Sequence, residues 1–166
     1  MKSVFLSFLC AGLLTLSTSV AAEITNSMSG AEIEKLLTDA GFGGRIITDR
    51  DTGAPVAMGT TGDLKFIVRA MDCGGEPVAC RRLLFFANFD LNRPVNAGDF
   101  RVVNNFNEAH FDGRAYLIEG KNQIGVDYHI DLTGGVTSDH VASRLSRWRS
   151  VIDSFLKQVS NNRTGA

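Results

Sequence analysis

Gln123-Ile124-Gly125-Val126-Asp127-Tyr128-His129-Ile130-Asp131-Leu132 is the stretch that decides the fold. Ile124, Val126, Tyr128, Ile130 and Leu132 recur at every second position without a break. That period sends one side of a strand into a core and leaves the other outside. Asp127, His129 and Asp131 share the outward side.

Working outward, residues 114–119 form a second strand, joined to the first by the turn Gly120-Lys121-Asn122. Residues 83–89 are apolar at nearly every position, which predicts a central strand covered on both faces. In residues 64–71, Leu64, Phe66, Val68 and Ala70 share one side while Lys65 and Arg69 take the other, as in a half-buried strand. Residues 45–48 and 55–58 flank a turn over 49–53 and read as an opening hairpin, followed by a turn at Thr60-Thr61-Gly62-Asp63.

Three helices complete the pattern. Ser29 can cap a first helix over 30–40, with Glu32 three positions on to close a capping box, Ile33, Leu36, Leu37 and Ala40 as the apolar face, and Gly41 as the stop. Asn96 can cap a second over 97–107, with Phe100, Val103 and Phe106 spaced by three, although Asn104-Asn105 weakens its propensity. Thr137 can cap a long third helix with Asp139 in its first turn and Val141, Leu145, Trp148, Ile152, Phe155 and Val159 on one stripe. Residues 160–166 read as a polar tail. The expected order is α-β-β-β-β-α-β-β-α, an antiparallel sheet with helices, hence α+β.

The beginning of the chain has a different character. Lys2 precedes an apolar run over 4–16, then Ser17-Thr18-Ser19, and Val20-Ala21-Ala22 closes on the small-residue pattern of a signal-peptidase site. Residues 1–22 are therefore expected to be a cleavable signal peptide, with an apolar run over 4–16 too short to span a bilayer, which takes about 20 apolar residues. Residues 23–160 are then one soluble periplasmic or secreted domain, with 161–166 as its tail and no stable membrane insertion. Cleavage removes one lysine from 17 basic residues and leaves 16 against 18 acidic, a net of −2 spread along the chain. Such a balance argues against a nucleic-acid partner. Of three cysteines, Cys10 lies in the signal segment. Cys73 and Cys80 bracket a turn between two strands, so a structural disulfide in an oxidising compartment is expected. A loop so short contributes about 2–3 kcal/mol in the chain-entropy account.

Candidate chemistry is thin. Asp127, His129 and Asp131 project to one side about 7 Å apart, so a metal-dependent activity on that strand is the alternative function. No second His or Cys cluster completes a ligand shell, and no cofactor is expected. His110 and His140 lack an oriented nucleophile, and no Gly-x-Ser-x-Gly elbow occurs. Arg144 and Arg147 share a helix face, whereas Arg149 sits around the cylinder from them. The candidate binding surface is thus Asp127, His129, Asp131, Arg144 and Arg147, with no catalytic residues.

Several stretches together resemble the YbjN-like family, described as bacterial sensory transduction regulators. They are Leu36-Leu37-Thr38-Asp39-Ala40-Gly41-Phe42, the cysteine hairpin running into Arg82-Leu83-Leu84-Phe85-Phe86-Ala87-Asn88-Phe89-Asp90, Gly113-Arg114-Ala115-Tyr116-Leu117, residues 126–132, and Gly134-Gly135-Val136. The resemblance covers about residues 29–157. It implies a fold related to type III secretion chaperones and a regulatory, non-enzymatic role, with a protein of the envelope as partner. A homodimer formed through the sheet is a further implication.

Overall fold

The computed structural model describes residues 23–164, so the signal peptide read over 1–22 lies outside the described residues. Seven strands form one antiparallel sheet, and a two-stranded ribbon stands apart from it. In chain order the elements are β1 (Ile24–Thr25), β2 (Met28–Ser29), α1 (Gly30–Asp39), β3 (Arg45–Thr48), β4 (Pro55–Thr61), β5 (Leu64–Gly74) and β6 (Ala79–Asp90). After them come α2 (Ala97–Ala109), β7 (Arg114–Ile118), a 3₁₀ turn at Glu119–Lys121, β8 (Gln123–Asp131), β9 (Val136–Thr137) and α3 (Ser138–Thr164). The sheet runs β3-β4-β5-β6-β8-β7, with β2 extending the ladder on β6 beyond the end of β8 and β1 pairing β9. The α+β class and the predicted order of the larger elements hold; β1, β2 and β9, two residues each, are too short to leave a periodic signal.

The caps explain where the helices begin. Ser29 accepts from the Glu32 amide while the Glu32 carboxylate accepts from the Ser29 amide, a complete capping box. Those bonds hold the Glu32 carboxyl below its ordinary pKa. Asn96 caps α2 with help from Asp99, which accepts from the Asn96 amide and takes both arms of Arg93 at 2.7 and 2.8 Å. Asp99 is the one buried charged side chain among the described residues, and the double bond to Arg93 offsets its desolvation. Thr137 Oγ1 accepts from the His140 amide at the start of α3. That helix continues through Thr164, five residues past Val159, the last member of its apolar stripe, so the polar residues 161–164 are helical. Once packing has nucleated a long helix, each added residue gains a backbone bond.

All three helices pack on one face of the sheet. That face presents Ala57, Phe66, Val68, Ala70, Leu83, Phe85, Ala87, Val126, Tyr128 and Ile130. Trp148 of α3 sits at the centre, 5.6 Å from Phe66, 5.8 Å from Phe85 and 6.3 Å from Tyr128 between ring centroids. Each such fully buried side chain contributes about 1.5–3 kcal/mol, so this layer dominates the stability. On α2 the buried apolar positions are Val102 and Phe106, while Phe100 is 45% exposed. The three-residue spacing Phe100-Val103-Phe106 therefore runs from the exposed side of the helix onto its buried side, reaching the core only at Phe106, because a helical stripe advances by alternate threes and fours.

The Cys73–Cys80 disulfide joins directly opposed residues of β5 and β6. The β7 edge is sealed by a side chain: Asn107 donates to the Ala115 carbonyl at 3.1 Å and accepts from the Ala115 amide at 2.7 Å. An amide side chain placed this way satisfies the edge as a neighbouring strand would.

Candidate interaction surface

The second face of the sheet carries no helix among the described residues, and it holds the outward side chains of β8. Register sorts it into rows. One row runs Arg45, Met58, Ile67, Phe86, Asp127, Arg114 across β3-β4-β5-β6-β8-β7. The next runs Ile47, Val56, Arg69, Leu84, His129, and beyond it Met71, Arg82, Asp131. The middle is apolar, with Val56, Ile67, Leu84 and Phe86 half-buried and Met58 41% exposed. Charged groups surround it. Strand β6 is thus central, as its composition predicts, but Leu84 and Phe86 are left half open where cover on both faces was expected. Apolar composition reports that a strand is central; it does not report that a second layer exists.

The charges at the border are largely engaged. Arg114 donates to Asp127 at 2.5 Å, and that bond raises the arginine's pKa. Arg82 pairs with Asp72. Asp131 accepts from the Thr133 amide at 2.8 Å, and hydrogen bonding to Thr133 holds its carboxyl below the usual range. His129 is exposed between them, and the Arg69 guanidinium lies 5.9 Å from the Phe86 ring centre. Among the described residues no three His, Cys, Asp or Glu side chains converge as metal donors. With Asp127 committed to an arginine and Asp131 to a backbone amide, the Asp127, His129 and Asp131 row has the chemistry of a polar border.

Arg144 and Arg147 lie elsewhere. They project from α3, on the covered side, where Arg144 donates to Asp112 at 3.2 Å and Arg147 forms an ion pair with the same carboxylate at 3.2 Å. Arg144 also lies 4.7 Å over the Tyr128 ring. Burial pushes the Tyr128 hydroxyl up to about 12. The five residues grouped from sequence therefore belong to two surfaces on opposite sides of the sheet. Arg149, expected to stand apart, does so: it covers Phe42 at 4.8 Å and donates to the Ala40 carbonyl at 3.4 Å. Between them α1 and α3 leave an open groove of about 420 Å³, lined by Leu36, Ala40, Phe42, Leu145 and Arg149.

A family model described as YbjN, putative bacterial sensory transduction regulator, matches residues 29–160. The chain belongs to the YbjN family. The match ends where the apolar stripe of α3 ends, and it takes in every strand of the large sheet except the first residue of β2. No curated protein and no solved structure matches the chain. The likeness to type III secretion chaperones implied by the resemblance accordingly has no structural match behind it.

In this YbjN chain the motif residues prove to be architectural. Gly113 has φ +81°, and a Cβ there would stand 2.5 Å from Val151. Arg114 neutralises Asp127, and Ala115 is the residue that Asn107 clamps. Tyr116 lies across Gly125, where a Cβ would come within 2.7 Å of its ring, and donates to Asn88 at 2.6 Å. Gly134 and Gly135, at φ +85° and +89°, turn the chain from β8 into β9. The clamping role of Asn107 and the pairing of Asp112 leave no periodic signal, since one depends on where α2 meets the β7 edge and the other on a partner 32 residues away in α3.

Proposed function

We propose that this protein is an exported, non-enzymatic regulatory module that acts by protein–protein contact through the open face of its sheet. The observation that carries the reading is the apolar patch of Met58, Ile67, Leu84 and Phe86 on a face with no helix over it among the described residues. A central apolar area with a polar border is the usual anatomy of a protein interface. The family description as a sensory transduction regulator agrees with it. Export is supported by the signal-like residues 1–22 and by the Cys73–Cys80 pair, a disulfide suited to an oxidising compartment. Among the described residues no helix is long and apolar enough to cross a membrane.

The test is a photoreactive side chain at Met58 in the full chain, irradiated in living cells, with osmotic-shock fractionation and mass spectrometry of the products. The expected result is a product in the periplasmic or envelope fraction joining the chain to one other protein, lost on Phe86→Glu. A product joining two copies of the chain would replace the heterologous partner by a homodimer, and the absence of any product would sink the reading.

A further inference from the structure

The two edges of the large sheet are finished differently. At β7 the Asn107 side chain takes up the Ala115 amide and carbonyl. At the other edge β3 carries no proline or lysine, and no strand lies beyond it among the described residues; such an edge is a template for another strand. Register tells which of its groups are open. The Asp49 amide donates to the Ala54 carbonyl at 2.9 Å, so Asp49 faces β4. Alternate residues of an antiparallel strand face the same way. Arg45 and Ile47 therefore bond to β4, and the amides and carbonyls of Ile46 and Thr48 point outward. Pro55, opposite Thr48, has no N–H to offer it, which agrees. The side chains of Arg45 and Ile47 stand on the open face, and Asp49 joins them there, lining a hollow with Val56 and Arg69.

A second β3 laid antiparallel along this edge must match outward groups with outward groups. Three registers do so within the strand: Ile47 opposite Arg45, opposite itself, or opposite Asp49. The middle one pairs Ile46 with Thr48 twice, for four backbone bonds, where the others pair one residue with itself, for two. It also sets Ile47, 42% exposed, against Ile47 and places Arg45 opposite Asp49 on both sides of the two-fold axis, whereas the others set Ile47 against a charge. Arg45 is in no ion pair among the described residues. Asp49 accepts from the Thr52 amide and hydroxyl and the Asp51 amide through Oδ1, bonds that hold its carboxyl below the usual range with a smaller pull from Arg69. Its Oδ2 is left for a cation, and Arg50 and Asp51, next in the turn, offset each other in charge. We infer that β3 docks a second copy of this chain, antiparallel about a two-fold axis at Ile47, so that two large sheets continue into one. Such a contact closes at two copies. A ladder this short falls below the roughly 1,200 Å² of a stable interface, so the dimer is weak and depends on concentration.

Strand β3 can be altered without touching Phe86, so this inference and the sheet-face reading fail separately. Protein produced from the full sequence would be followed by sedimentation velocity from about 10 µM to about 1 mM, unchanged and as Ile47→Lys, Arg45→Glu and Arg45→Lys. A monomer–dimer equilibrium is expected. Ile47→Lys and Arg45→Glu should each raise its dissociation constant on the order of ten-fold, since the axis counts every change twice, and Arg45→Lys should stay within about three-fold. Thermal melting, expected unchanged in all three, separates lost association from lost folding. Ile47→Cys reads the register: on oxidation it should link two copies several-fold faster than Thr48→Cys, which faces Ile46 of the copy. A monomer throughout, assemblies larger than two, a dimer indifferent to Ile47→Lys, or equal linking at 47 and 48 would each overturn the inference. A product joining two copies through the Met58 reporter supports the edge if Ile47→Lys removes it, and counts against the edge if only Phe86→Glu does.

Discussion

The two faces of the large sheet are built from the same strands and differ in what lies on them. Phe85 and Phe86 are neighbours on β6, yet Phe85 is fully buried against Trp148 while Phe86 is half open beside Arg69. Strand geometry alone accounts for the split, because adjacent side chains point to opposite faces. A covered face is used for stability. The other face, apolar only at its centre, stabilises the fold less, and what it keeps available is contact area.

The largest effect should come from emptying the covered layer. Trp148→Ala is expected to lose about 3–5 kcal/mol in denaturant unfolding; a loss near that of an open-face substitution would abolish the distinction between the faces. Next, Asn107→Ala should cost about 1–3 kcal/mol by leaving the Ala115 amide and carbonyl without their partner. Native-state hydrogen exchange at Ala115, faster in the variant, checks that the loss sits at the β7 edge.

The two tyrosines sharpen the comparison, since they lie on opposite faces and burial pushes both hydroxyls up to about 12. Their folded pKa values exceed the unfolded value of about 10, so the folded state holds its phenolic protons longer. Stability is then intact below pH about 10 and declines as pH rises from there towards 12. Ultraviolet titration of the folded chain should show no ionisation step near 10, and one should appear on unfolding; Tyr116→Phe isolates Tyr128. A normal step in the folded protein would mean that Tyr116 is not shielded on the open face.

The smallest stability effect is expected at the open patch itself. Phe86→Ala should cost about 1 kcal/mol or less, while Phe86→Glu removes the contact from Met58. An open-face residue that proves costly to truncate without altering crosslinking would be a structural residue only.

Much of this was legible in the chain. Period-two alternation in 123–132 and 64–71 located two strands, and Ser29-to-Glu32 spacing located a helix start to the residue. These are local signals, carried by residues a few positions apart. The same locality explains the failures. Nothing within residues 83–89 tells whether a second layer exists above Leu84 and Phe86. Asp127 and Arg144 looked like parts of one surface because strand and helix were read separately, and only the packing of α3 shows that the sheet lies between them.

Gly125, Tyr116 and Asn88 stand in one row across three strands, a glycine roofed by a phenol that is held by an amide. A side chain at 125 evicts the ring, a smaller residue at 116 bares the backbone at 125, and a residue at 88 unable to accept leaves the phenol untethered. No single step among these is neutral, so descendants of this sequence should carry the three positions as one inherited unit, exchanged together or kept.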